Sequence, residues 1–176
     1  VVGLVWSCCG GGGVVWVGFW LGGSVTLRHA ALAPASVHTP EHRPDAAVSV
    51  SAPGFWFYRG TKVMRFVHRL IENPLGRALL KRRGVRLTSK PWPEPPPWSP
   101  ADSVRKMGDF PLLVVHGDID HYFPVEHVRV LKAAAESVGN SQATVIVVPG
   151  FVVVASILVV VHGLVVASIL IVVPDL

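Results

Sequence analysis

The chain has 176 residues, enough for one domain with a sizeable core but not for two, and apolar residues make up 51% of it against 15% charged. The net charge of +5 is local, because ten of the sixteen Lys and Arg residues lie between Arg59 and Lys90. No stacking aromatics or groove-reading motif accompany these cations, which argues against nucleic-acid binding. A solvated helical face and contact with phosphate or an anionic membrane surface are the remaining interpretations.

Both ends of the chain are free of charge, since residues 1–27 and 137–174 contain no Asp, Glu, Lys or Arg. Such ends are expected in buried sheet or in a membrane. The first segment lacks the basic start and the cleavage pattern of a secretory signal, and the initial Val suggests a fragment or a processed chain. Cys8 and Cys9 are adjacent, so they favour neither a disulfide nor a metal site. We therefore expect a reducing, cytoplasmic location, with no metal and no other cofactor.

The first predicted elements are strand, turn, helix and strand. Residues 14–17 form a short apolar run typical of a buried parallel strand. Residues 18–23 predict a glycine-bracketed turn, and residues 24–35 predict a helix that starts from it. Residues 46–50 predict a second strand.

Residues 61–83 are predicted to be helical, with a break at Asn73-Pro74, where Asn is a cap and Pro the first residue of a second helix. An apolar stripe at helical spacing runs along the first helix: Val63, Phe66, Val67, Leu70 and Ile71. Its opposite, polar side is predicted to carry Lys62, Arg65, His68 and Arg69. The proline-rich residues 91–100 are expected to be extended, as a stiff connector or as a ligand for a proline-reading module.

The next segment predicts a strand at residues 111–115, a helix at 124–138 and a strand at 143–148. Strand, helix and strand with short connections make a βαβ unit, which implies a parallel sheet. In the tail, VVASIL occurs at residues 153–158 and again at 165–170. The length of residues 152–173 also allows a transmembrane helix, but their density of β-branched residues favours buried strands.

Residues 111–124, PLLVVHGDIDHYFP, resemble the late strand and acid loop of the α/β-hydrolase superfamily. In that family a carboxylate follows the His of a His-Gly pair by four residues, just before a helix. The match falls on Asp120, which the resemblance implies is the acid that orients a catalytic histidine. The alternative is that Asp118 and Asp120 only build a polar turn.

Residues 18–24, GFWLGGS, resemble the nucleophile elbow G-x-S-x-G of the same family, which lies between a strand and a helix. Trp20 occupies the nucleophile position, and an indole has no nucleophilic oxygen. Ser24, inside the predicted helix, is a poor substitute. The resemblance implies that the Leu21 backbone N–H contributes to the oxyanion hole.

The histidine of the family also departs from its expected place. Pro149-Gly150-Phe151 matches the start of the usual turn, but Val153 stands where the histidine is expected. His162 is the only later histidine and the remaining candidate for the base. Residues 159–164 and 169–176 resemble early strands of the family, here placed after the acid loop, as in a permuted or scrambled chain.

The expected fold class is therefore α/β, a mainly parallel sheet flanked by helices, with a helical and proline-rich lid-like insertion. We predict core segments at residues 1–54 and 109–176 and the insertion at residues 55–108. The resemblance implies an ester-hydrolase-like protein, degenerate or incomplete at Trp20, with a small apolar acyl or ester ligand. A non-catalytic binding module and a membrane-associated protein with apolar ends are the alternatives, and the substrate and oligomeric state are not specified by the sequence.

Overall fold

The computed structural model describes residues 14–32, 44–85, 87 and 93–150, together with the backbone of four short strands between residues 152 and 172. Cys8 and Cys9 lie outside these residues. The main elements, in chain order, are β1 (Val15–Phe19), α1 (Leu21–Leu32), β2 (Ala46–Val50), α2 (Lys62–Glu72), α3 (Pro74–Arg82), α4 (Pro100–Met107), β3 (Leu112–Gly117), α5 (Glu126–Ser137) and β4 (Ala143–Val148).

The four main strands form one sheet in the order β1-β2-β3-β4, and every neighbouring pair is parallel. The predicted strands and their parallel pairing are therefore confirmed, and so is the α/β fold class. The carboxyl ends of all four strands lie at the same edge, where α/β proteins usually hold ligands. The first helix begins at Leu21 rather than at the predicted Ser24, because the turn after β1 is limited to Trp20. The helix predicted at residues 124–138 begins at Glu126, with Pro124 just before it.

The core lies between the sheet and a layer formed by α1, α4 and α5, since α4 packs against both of the other helices. Helix α4 is not predicted from the sequence pattern. Ser99 caps it, accepting a hydrogen bond from the Asp102 N–H while the Asp102 carboxylate accepts one from the Ser99 N–H. The insertion predicted at residues 55–108 therefore ends in a helix that packs in the core. The buried apolar side chains of this core are Leu27, Ala30, Ala31, Ala47, Ala101, Val104, Met107, Phe110, Leu112, Val114, Val128, Leu131, Ala134 and Ala135.

Helices α2 and α3 meet at Asn73, whose side chain caps α3 as predicted, with Pro74 in the first turn. The predicted orientation of α2 is wrong at two positions. His68 is buried and lies 3.3 Å from the Glu72 carboxylate, whereas Phe66, from the predicted apolar stripe, is 63% exposed. Periodicity identifies the sides of a helix, but the neighbouring elements decide which side is covered.

The tail contains four short strands: β5 (Val152–Ala155), β6 (Val159–Val161), β7 (Leu164–Val166) and β8 (Ile169–Val172). β5 pairs with β8 and β6 with β7, each antiparallel. The prediction of strands in preference to a helix is confirmed for these residues. Within the described part of the chain, no helix is long and apolar enough to cross a membrane.

Candidate functional site

The turn between β1 and α1 has the backbone shape of an elbow. Trp20 lies alone between the strand and the helix, with a φ of 54°, a torsion that a bulky L-residue rarely adopts. Its N–H donates to the Val50 carbonyl of β2 at 2.9 Å, and its carbonyl accepts from the Ser24 N–H at 3.3 Å. The turn is thus held between the neighbouring strand and the first turn of α1.

The glycines around Trp20 are required by close packing. A Cβ at Gly18 would collide with the Thr26 hydroxyl and with the Gly22 carbonyl. A Cβ at Gly23 would lie 2.8 Å from the Ala52 Cβ and from the Ser49 Oγ. The helix can therefore lie against the strand ends only because these positions have no side chain.

The Trp20 side chain lies on the acid loop. Its ring centroid is 4.4 Å from that of Tyr122, in a tilted arrangement, and 6.4 Å from that of Phe123, edge to face. These distances are in the range of favourable aromatic pairs. The structure therefore brings together the elbow and the loop that contains Asp120, 100 residues apart in the sequence.

Asp120 follows β3 and is 4% exposed. Its Oδ1 accepts from the backbone N–H of Tyr122 at 2.8 Å and from that of Phe123 at 3.0 Å, so this oxygen builds the turn. Its Oδ2 is buried and has no hydrogen-bond partner in the part of the chain that is described. A buried carboxylate oxygen without a donor is costly, and this is the oxygen that could accept from a histidine.

His116, at the end of β3, holds the same loop through its ring. Its Nε2 lies 2.7 Å from the Phe123 carbonyl, which can only accept, so Nε2 carries a proton and donates this hydrogen bond. Asp118 has a purely structural contact, since its Oδ1 accepts from the Gly150 N–H at 2.7 Å. The loop is therefore held by contacts at both of its ends.

Ser51 lies next to Trp20 at the same edge and has a second unusual torsion, with a φ of 49°. Its N–H donates to the Val115 carbonyl at 2.8 Å, and its side chain is fully buried. Among the described residues its Oγ has no hydrogen-bond partner. No motif distinguishes Ser51 in the sequence, and it is not among the predicted site residues.

His127, in α5, lies in an aromatic cluster beside this edge. Its Nδ1 accepts from the Gly54 N–H at 3.0 Å, and its ring stacks on Phe55 with centroids 4.4 Å apart. Tyr58 packs edge-on to the same ring, also at 4.4 Å. Burial, aided by the nearby His116, lowers the pKa of His127 to about 4. His127 is therefore neutral at pH 7, with the proton on Nε2.

The structure places only some of the predicted site residues. Trp20 and the Asp120 loop come together, and Leu21 is the first residue of α1, with a side chain that is 45% exposed. His162 lies outside the described residues. Across the described ranges, no group of three or more His, Cys, Asp or Glu side chains could hold a metal ion.

No protein-family model and no curated protein matches the chain. Solved structures similar to it include the acylaminoacyl peptidase of Pyrococcus horikoshii, at 15% identity and a TM-score of 0.49, over 77% of this chain and 19% of that one. An esterase domain from Rhodothermus marinus has 20% identity and a TM-score of 0.47, over 78% of this chain and 50% of that one. A Pyrococcus furiosus esterase has 18% identity and a TM-score of 0.47, over 77% of this chain and 44% of that one.

The chain thus spans between about a fifth and a half of the length of these structures.

Proposed function

We propose that this chain is an ester-hydrolase-like member of the α/β-hydrolase superfamily that has no serine-hydrolase turnover. The observation that carries this proposal is the position of Trp20, in a left-handed turn between β1 and α1 and packed on the acid loop. The turn has the shape that presents a nucleophile, and the residue in it has none.

Acyl transfer by this mechanism needs an oxygen or sulfur nucleophile within about 2.6–3.2 Å of a base. An indole provides neither, and its ring packs against the Tyr122 ring. Ser24 is the hydroxyl nearest to Trp20 in the sequence, and Ser51 is next to Trp20 in the register of the neighbouring strand. Both side chains are fully buried. Neither can reach a bound ester without a change in the backbone.

Asp120 supports an origin from an active enzyme. A carboxylate whose only role was to hold its turn would need one oxygen, and the Asp120 Oδ1 already meets that need. The second oxygen is buried without a donor among the residues described. This is the arrangement expected of an acid that can accept a hydrogen bond from a histidine. His162 remains the candidate for that histidine, and the Leu21 N–H for the oxyanion hole.

A non-catalytic binding module is the second candidate. It is favoured by large aromatic side chains that remain accessible in the segment after β2 and before α4, with Phe55 at 37%, Phe57 at 61% and Trp98 at 36% exposure. Exposed aromatic surface of this kind suits a small apolar acyl or ester ligand. Phe57 also has a φ of 59°, a strained torsion of the kind found at functional sites.

The test combines an ester-hydrolysis assay with fluorophosphonate labelling on the purified chain and on Trp20→Ser. Trp20→Ala is the matched control, since it removes the same ring without adding a hydroxyl. We expect no labelling and no turnover in any of the three, because both the nucleophile and the expected histidine are missing. Far-ultraviolet circular dichroism and a cooperative unfolding transition establish that each protein is folded.

Two results would contradict the proposal. Labelling of the unmodified chain at a serine, for instance Ser24, would show that the nucleophile has been misidentified. Turnover by Trp20→Ser and not by Trp20→Ala would show that a base is in place and that only the nucleophile is missing. Ligand-dependent quenching of tryptophan fluorescence without turnover would favour the binding module.

A further inference from the structure

The solvent-facing side of α2 combines cations with one large apolar side chain. Lys62, Arg65, Phe66 and Arg69 are spaced by three or four residues and all are exposed, Phe66 to 63%. An exposed Phe is unusual in a helix whose other apolar residues can face away from solvent. This arrangement therefore differs from an ordinary solvated helix face.

The following helix repeats the pattern. In α3, Leu75 is 81% exposed and Leu79 is 51% exposed, and Arg82 is exposed one turn further on. The two helices pack closely, because Gly76 approaches the Leu70 backbone so tightly that a Cβ would collide with its carbonyl. The two helices therefore lie against each other, and we call their exposed residues together the α2–α3 face.

The charge of this region is almost entirely positive. Between residues 59 and 83 the sequence has eight Lys or Arg residues and one acid, Glu72. That acid already contacts Arg59 and the buried His68. The region therefore presents a net positive potential to any partner that approaches the exposed Phe and Leu side chains.

We propose that the α2–α3 face docks on an anionic phospholipid bilayer. Lys and Arg would meet the headgroups, while Phe66, Leu75 and Leu79 would enter the boundary with the acyl chains. Exposed aliphatic side chains such as Leu75 and Leu79 do not improve binding to nucleic acid, which is held by cations and by stacking on aromatic rings. The combination of charge and apolar exposure therefore favours a lipid surface.

The same surface lies close to the candidate site. The Thr61 hydroxyl, which caps α2, is 3.5 Å from the Tyr122 carbonyl of the acid loop. The helix that would contact the bilayer therefore also contacts, through its cap, the loop that holds Asp120. The docking proposal stands on charge and exposure alone and does not depend on whether the site has any activity.

The test is co-sedimentation of the full chain with phosphatidylcholine vesicles, with and without about 30% phosphatidylserine. One variant replaces Lys62, Arg69 and Arg82 by Gln. Its matched control replaces Arg28, Arg129 and Lys132, three exposed cations on α1 and α5, so that the net charge changes equally. A second pair consists of two double variants. One carries Leu75→Gln and Leu79→Gln, and its control carries Val25→Gln and Val138→Gln, at exposed apolar residues elsewhere.

We expect binding to anionic vesicles that weakens with added salt. Each cation near a charged surface changes binding about fivefold, so the α2–α3 charge variant should bind on the order of a hundredfold more weakly, with little change in its control. The double Leu variant should lose about tenfold or more.

Failure of the folded chain to bind anionic vesicles would overturn the proposal. Equal losses in the α2–α3 variants and in their controls would overturn the assignment to this face. Binding to single-stranded RNA under conditions in which vesicles are not bound would identify nucleic acid as the partner and would also overturn it.

Discussion

Trp20 and Ser51 lie side by side at the carboxyl ends of β1 and β2, and both have left-handed backbone torsions, with φ of 54° and 49°. The Trp20 N–H donates to Val50, the residue just before Ser51, and the Ser51 N–H donates to β3. Three neighbouring strands are thus linked at the point where two of them turn sharply. Strain of this kind persists only where surrounding contacts impose it, and it concentrates at functional sites.

Trp20→Gly should be more stable than Trp20→Ala by about 1 kcal/mol. Both changes remove the ring and its contacts with Tyr122 and Phe123, but only Gly adopts the left-handed torsion without steric cost. Urea unfolding of the two variants measures the difference directly. Equal stabilities would show that the turn relaxes to a negative φ once the ring is removed.

Gly18→Ala should destabilise the chain by about 3 kcal/mol or more, because the new methyl group collides with the Gly22 backbone and the Thr26 side chain. Gly84→Ala provides the comparison. It has a φ of 81° and open space around it, so only the torsional cost of about 1 kcal/mol is expected. A smaller loss at Gly18 than at Gly84, measured by thermal unfolding, would contradict the close packing of α1 on β1.

Asp120→Asn should leave stability unchanged or raise it, whereas Asp120→Ala should lower it by about 1–3 kcal/mol. Asn keeps an oxygen for the N–H groups of Tyr122 and Phe123 and removes a buried charge whose second oxygen has no donor among the described residues. Ala leaves both N–H groups without that acceptor. Chemical denaturation at pH 7 distinguishes the two, and a large loss in Asp120→Asn would show that Oδ2 has a stabilising partner.

The stability of the chain should rise with pH between about 4 and 6.5 because of His127. Its folded-state pKa is lowered to about 4 from the ordinary 6.5, so the unfolded chain binds more protons in this range. The contribution is complete above pH 6.5 and is lost as the pH falls towards 4, with a total of about 3 kcal/mol.

The free energy of unfolding, followed from pH 4 to 7, checks this expectation. His127→Asn retains an acceptor near the position of Nδ1 for the Gly54 N–H and should have a flatter pH dependence over that range. An unchanged slope in this variant would assign the effect to other groups.

Local pattern was sufficient to predict the four main strands and their parallel pairing, since short apolar runs alternated with helical segments. The motif around Asp120 and the glycines around Trp20 also located two turns that the structure brings together. α4 was missed because its eight residues follow a run of prolines, although Ser99, Pro100 and Asp102 together form a recognisable capping signal.

Contacts between distant residues could not be predicted in the same way. Gly54 and His127 are separated by 73 positions, and the hydrogen bond that fixes the histidine tautomer depends on how α5 packs. The burial of His68 and the exposure of Phe66 likewise depend on what lies beside α2. A single sequence contains the spacing of these residues but not the identity of the surface opposite them.

The strand order has a consequence for how the chain reaches its native state. Each strand of the four-stranded sheet pairs with the strands next to it in the sequence, so this sheet can grow one crossover at a time, without threading a strand between two others. The connections at residues 20–45 and 118–142 are of nearly equal length, whereas residues 51–111 separate β2 from β3. Closing the longest loop costs more chain entropy, so we expect the two outer pairs to form early and the central pair, which joins Ser51 to Val115, to complete folding.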